Sequence, residues 1–568
     1  MNRKYLCFFL IGLFFFASCG KKGDTTMTET INIIADFKPV DDVKKQDASL
    51  APVEIAFDDS QLDENEKKAL QLLVKAAKYM DDIFLKQVYS KNEALAKELR
   101  EGKHPDYSAL YNYFKVNFGP FDRLDEDLPF INTKELKPKG ANFYPEDITK
   151  EEFEKWLTDH PQDKAAFTSN FTIIRREEGK LKAIPYSQAY ADHLKPAADL
   201  LKQAAELIEN KSLKTYLNSR ADALSSNDYF QSDMDWVDLK DHNIEIVIGP
   251  YEVYEDALFG YKAAFECFIT LVDKEESKKL SALAGYLDEM EKHLPYDDKY
   301  RNFKRGASSP VIIANEVFTA GDTKAGVQTT AFNLPNDERV REAKGSKKVM
   351  LKNVARAKFD KCWIPIVNTV LAESDLPYIS FDSYYNHVLM HEVAHGLGPG
   401  IIEKNGKKTT VNQELKDLYS VIEETKADIL GLWNLGFMID KGFFPKELKD
   451  KMHVSHLGGI FRSVRFGTHS AHGGANLIQL NYIMDKGGFQ YNEETARFSV
   501  NRDKVNEAVK ALSHEVLMIE ALGDYERAKA LVDKYRVVTP ALEKALDMLK
   551  AVPIDIKPVF AIEKEILN

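Results

Sequence analysis

The spacing of apolar positions changes character twice along the chain. From about residue 60 to 230, Leu, Ala, Lys and Glu recur at helical spacing, as in Glu64 to Tyr89 and Ala191 to Asn210. Residues 243–272 and 310–380 then bring β-branched runs separated by turns, Ile244-Glu245-Ile246-Val247-Ile248 and Pro310-Val311-Ile312-Ile313, which predict the strands. From 381 onward the helical period returns and closes with Lys504 to Leu522, Asp524 to Tyr535 and Pro540 to Ala551. A body of about 520 residues implies more than one core, because single cores rarely grow past about 300 residues. The expected architecture is α+β and two-lobed. A mixed lobe spans 51–380, interleaved at its edges with a mostly helical lobe over 381–568, and a cleft lies between them.

The first residues do not fit either lobe. Met1-Asn2-Arg3-Lys4-Tyr5 is followed by an apolar run to Phe16 and then Ala17-Ser18-Cys19, which reads as a lipoprotein signal peptide over 1–18 with lipidation of Cys19. That places the chain at a bacterial cell envelope, lipid-anchored on the periplasmic face or the cell surface. Residues 19–50 are polar without a periodic core pattern and are expected to form a flexible tether. Nothing further along is long and apolar enough to cross a bilayer. Cys267 and Cys362 sit in apolar surroundings and are too few for a disulfide framework, so they read as core residues. A formal charge of −12 argues against nucleic acid, whose phosphates reward a basic surface.

The candidate chemistry is concentrated at His391-Glu392-Val393-Ala394-His395. Tyr384, Val388, Leu389 and Val393 recur at helical spacing, and Gly396-Leu397-Gly398-Pro399-Gly400 ends the run, so the motif lies in the last turns of a helix. Positions i and i+4 stack on one face, so His391 and His395 can offer both imidazoles to one Zn²⁺ ion, while Glu392 lies about 100° round the helix. A catalytic zinc takes three protein ligands, and Glu424 in Glu423-Glu424-Thr425-Lys426-Ala427-Asp428 is the candidate third. Asp428, one turn below it, suits an outer carboxylate that fixes a ligand imidazole, and Glu423 is grouped with it. His387 extends the stripe as a packing or outer residue. Between the two helices, Asn405-Gly406 predicts a hairpin, and Asn412 is expected to cap the second helix. The chemistry implied is metal-assisted hydrolysis with Glu392 as general base. The competing reading takes the acidic segment for the solvated face of an amphipathic helix.

Four stretches together resemble the dipeptidyl peptidase III family of zinc exopeptidases. They are the histidine motif with its later acidic turn; Ile248-Gly249-Pro250-Tyr251-Glu252-Val253-Tyr254-Glu255-Asp256; Phe332-Asn333-Leu334-Pro335-Asn336 running on through Gly345-Ser346-Lys347-Lys348-Val349 to Lys352-Asn353-Val354; and Ala471-His472. The resemblance implies that Glu252, Asn333 and Asn336 bind the free N-terminus and first residues of a peptide. It also implies that Tyr254 and His472 stabilise the oxyanion. The family's motif has one residue more between its histidines, so this chain is a divergent branch in which a regular helix suffices. The function expected is cleavage of dipeptides from short peptides, with one zinc per chain. The alternatives are a zinc hydrolase of a non-peptide amide or ester, and a peptide-binding lipoprotein with an inactive metal site.

Overall fold

The computed structural model describes residues 33–303 and 311–566, so the signal peptide and Cys19 lie outside the described residues. The tether expected over 19–50 is corrected at its far end by a helix, α1 (Val40–Ala48), and a strand, β1 (Leu50–Ile55). Asp41 and Asp42 occupy the positive first turn of α1, Val43 is buried beneath it, and Ile34 and Phe37 pack into the neighbouring core. A few apolar anchors suffice to dock a short segment whose composition is otherwise polar.

The long stripe that follows forms α2 (Glu64–Val88), opened by a reciprocal cap. The Asp63 carboxylate accepts the Asn65 and Glu66 backbone N–H groups, each at 2.8 Å, and Glu66 accepts the Asp63 N–H at 3.1 Å. Its buried face of Leu73, Ala76, Met80 and Phe84 lies against α3 (Ala191–Leu207) and a five-stranded sheet. The sheet is built from β2 (Ile244–Glu252), β3 (Ala264–Val272), β4 (Val311–Gly321), β5 (Ala331–Leu334) and β6 (Lys347–Leu351), in the order β2-β3-β4-β6-β5. Only the β4–β6 pairing is parallel. Strands β2 and β3 are buried on both faces, which is why their sequences are nearly continuous apolar runs. At the far edge, Asn333 of β5 stands directly opposite Lys348 of β6.

The second lobe contains α4 (Phe381–Ala394), the hairpin β7 (Ile401–Lys404) and β8 (Lys407–Thr410), then α5 (Tyr419–Asp440), α6 (Met452–Val464), α7 (Ala471–Asp485) and α8 (Val505–Leu522). The cap expected at Asn412 is wrong. The Thr410 hydroxyl takes the Gln413 N–H and starts a single turn, Val411–Leu415, and Lys416 at φ 54° breaks it before α5 begins. A left-handed residue ends any α-helix it enters.

The two cores interleave along the chain. One runs from Ile34 to Cys362 and takes in Ile556, Phe560 and Ile562; the other runs from Leu280 to Leu549. The last strand, β9 (Asp555–Phe560), returns to the first lobe and pairs in parallel with β1, Leu50 opposite Asp555. Buried Asp555 accepts from Lys358 at 2.9 Å and from the Gln328 N–H at 2.7 Å. Cys267 and Cys362 are buried and free. Among the described residues no helix is long and apolar enough to cross a membrane.

Candidate metal centre

Two helices build the site. Ser380 caps α4 by accepting the Ser383 N–H, and the helix runs unbroken to the histidines, where the His395 N–H still donates to the His391 carbonyl at 3.3 Å. Helix α5 crosses it closely at Gly431, where an added Cβ would lie 2.7 Å from the His391 nitrogen. That contact brings Glu424 under the histidine pair. The Nε2 atoms of His391 and His395 are 3.2 Å apart, and Glu424 Oε2 is 3.5 Å from the first and 3.9 Å from the second. All three donor atoms lie within 4.8 Å of one another.

Each imidazole is oriented from behind. His391 Nδ1 meets Asp428 Oδ1 at 2.7 Å and His395 Nδ1 meets Glu423 Oε1 at 2.8 Å. A carboxylate only accepts, so both Nδ1 atoms carry the proton and both Nε2 lone pairs point inward. Asp428 is itself held by Gln479 at 2.8 Å and Asn476 at 3.2 Å, and its backbone carbonyl faces His387 Nε2 at 2.9 Å. Lys426 lies 3.0 Å from Glu423 and 3.8 Å from Glu520, which continues the line of charges behind His395.

Three observations test whether this set suits a divalent ion. A tetrahedral ion with bonds of about 2.0–2.2 Å separates its donors by roughly 3.3–3.6 Å, close to the spacings found. Two imidazole lone pairs facing each other at 3.2 Å repel unless a proton or a metal cation stands between them. Glu424 Oε2 is buried without a hydrogen bond of acceptable geometry, although His472 Nδ1 is 3.1 Å away. The surroundings also favour positive charge. Burial pushes the His391 imidazolium down, but Asp428, then Glu392 and Glu424, overcome it and raise the ring to about 9. Burial likewise pushes Asp428 up, and His391 pulls it back well below the usual carboxylate range. The donors fit a metal.

Glu392 forms an ion pair with Lys348 of β6, the strand next to edge strand β5 in the sheet of the other lobe. Burial raises its carboxyl, and Lys348 and His391 more than offset this, leaving it below the ordinary value. On that other lobe Asn336 donates to the Tyr251 carbonyl at 3.1 Å and to Glu252 at 3.2 Å, and Asn333 is exposed beside Lys348. The structure therefore gathers His391, His395, Glu424, Glu392, Glu423, Asp428 and His472 at one place, and Glu252, Asn333 and Asn336 across from it. It does not bring Tyr254 to the ligands. That ring is 82% exposed, and its hydroxyl is raised by Glu252 and burial, with Asp322 and Glu266 adding to them.

The sequence reading assigned no role to Lys348, Lys426, Asn476 or Gln479. Asn476 and Gln479 carry a helical signal, facing inward from α7 on the turns after His472, while Lys348 becomes visible only once β5 and β6 are in register.

Comparison with known proteins agrees with this picture. A family model described as peptidase family M49 matches residues 163–433. The solved structure of DPP III from Caldithrix abyssi is 55% identical, covers 92% of this chain and all of its own, and superposes with a TM-score of 0.90. Dipeptidyl-peptidase III from Corallococcus sp. strain EGB is 42% identical, with 94% of this chain and 99% of that one covered and a TM-score of 0.78. A curated relative, Nudix hydrolase 3 of Arabidopsis thaliana, is 39% identical over 93% of this chain and 75% of its own length. The curated dipeptidyl peptidase 3 relatives are matched over about half their length. Fold and site thus define a two-lobed, metal-dependent peptidase. The chain belongs to peptidase family M49, the dipeptidyl peptidase III family.

Proposed function

We propose that the protein is a zinc-dependent dipeptidyl peptidase that removes dipeptides from the free N-terminus of short peptides. The observation that carries this is the His391, His395 and Glu424 triangle with Glu392 beside it, an arrangement of three nitrogen and oxygen donors that suits zinc and leaves a fourth position for chemistry. When bound, zinc would lower the pKa of a water toward about 7 and polarise the peptide carbonyl.

The remaining work falls to the chain's own side chains. Glu392, kept ionised by its charged neighbours, takes a proton from the attacking water and returns it to the leaving amine. His472, 3.1 Å from Glu424 with its pKa raised by that contact, can donate to charge developing on the carbonyl oxygen. Glu252 and Asn336, already hydrogen-bonded to each other, offer acceptors to an α-ammonium, and Asn333 extends the same edge toward the peptide backbone. Tyr254 would need to travel to take part in oxyanion binding.

Purified protein is expected to contain about one zinc per chain, and Glu392→Gln should keep the metal while lowering hydrolysis of dipeptidyl-arylamides by at least about 10²-fold. Activity retained in that variant refutes the role of Glu392. A wild-type chain that binds zinc but cleaves neither peptides nor arylamides refutes the peptidase reading. We also propose that Cys19 carries a lipid at a bacterial envelope membrane. Cys19→Ser should move the protein from the membrane pellet to the soluble fraction, and an unchanged distribution would exclude the anchor.

A further inference from the structure

The ion pair between Lys348 and Glu392 can do more than keep the carboxylate ionised. Lys348 stands on β6 opposite Asn333 on β5, so both side chains leave the same face of the sheet edge. The ammonium reaches across to the other lobe and meets the Glu392 carboxylate there. Among the described residues neither group has another hydrogen-bonding partner. Their side chains are 18% and 21% exposed, which sets the pair inside the rim of the cleft, where water screens it only in part.

A base that must collect a proton from one water has to be held within narrow limits, since a misplacement of about 1 Å costs about 10²-fold in rate. Helix α4 does not supply that hold. Glu392 hangs on a flexible stem, and among the described residues no group of its own lobe hydrogen-bonds to it. One Lys N–H occupies one of the carboxylate's roughly four lone-pair sites, so the other oxygen stays available to water.

We propose that Lys348 is a positioning residue that acts through Glu392. It fixes the base from across the cleft, from the strand paired with the one that bears Asn333. This rests on the peptidase reading above. Lys348→Met keeps the length of the stem and removes the charge. Turnover of a dipeptidyl-arylamide should fall about 10²-fold in kcat with KM changed less than about threefold, metal content unchanged. Binding of a product dipeptide, followed by calorimetry, should be unaltered. Lys348→Arg should recover about tenfold of the loss, because it restores a cationic donor at similar reach.

A double-mutant cycle of urea midpoints over Lys348→Met and Glu392→Gln reads the pair without turnover and should give a non-zero coupling. The proposal is overturned by a kcat near wild type, by Lys348→Arg performing no better than Lys348→Met, or by product binding lost together with activity. Zero coupling in an active enzyme overturns it alone. Coupling in a chain that cleaves nothing overturns the peptidase reading and this role with it.

Discussion

Gly431→Ala offers a sharp test of how the two metal-bearing helices are held. A methyl at this position would stand 2.7 Å from the His391 nitrogen, 2.9 Å from its Cα and 3.0 Å from the Met390 carbonyl carbon. Carbon contacts settle near 3.5–4.0 Å, so α4 and α5 must part by roughly 0.7–1 Å. Overpacking of this kind costs about 1–3 kcal/mol, and the better helix propensity of Ala returns about 1 kcal/mol, so global stability is a poor readout. Metal affinity is a better one. His391 sits at the contact on α4, and Glu424 lies two turns away along α5, so widening the crossing stretches their 3.5 Å separation directly. Metal sites tolerate only about 0.2 Å, and we expect the affinity to fall at least 10- to 100-fold, about 1.4–2.7 kcal/mol. Competition against a chelator of known affinity measures it. Gly436→Ala is the control on the same helix, because its methyl would meet only the flexible ends of Met452 and Lys449, at 3.3 and 3.5 Å. An affinity for Gly431→Ala equal to that of the control would refute the idea that backbone contact sets the spacing of the ligands.

Asp428→Asn should weaken metal binding about 10- to 100-fold by releasing the His391 ring, checked by the same competition. Asp555→Ala strands Lys358 in a buried site and should destabilise the fold by about 3–5 kcal/mol in urea, with Lys358→Met in the same chain recovering part of the loss. Glu316, buried on β4, has its carboxyl raised by burial to about 8, with Lys358 opposing. Between the ordinary value of 4.5 and about 8 the folded state holds a proton that the unfolded chain has released, so this group makes stability decline as pH rises through that window. Glu316→Gln should therefore match the wild type near pH 4 and exceed it in melting temperature near pH 8, and parallel curves across that range would refute the assignment.

What the sequence determined by itself was local. A histidine pair four residues apart and an acidic turn in a second helix specified the donors, because helical spacing alone puts them on defined faces. The cap of α2 and the doubly buried strands β2 and β3 were written in the same short-range code. The failures were also local in origin. Asn412 looked like a cap because a stretch of sequence does not reveal that the Thr410 hydroxyl engages first, and residues 40–49 looked unstructured because their few anchors pack on partners far along the chain. Tertiary structure alone decided that β1 pairs with β9 across most of the chain, that β5 and β6 align Asn333 with Lys348, and that Lys348 meets Glu392 from the opposite lobe. Periodicity encodes which face of an element is buried. Which element covers that face, and in what register, depends on how all the elements fill two cores at once.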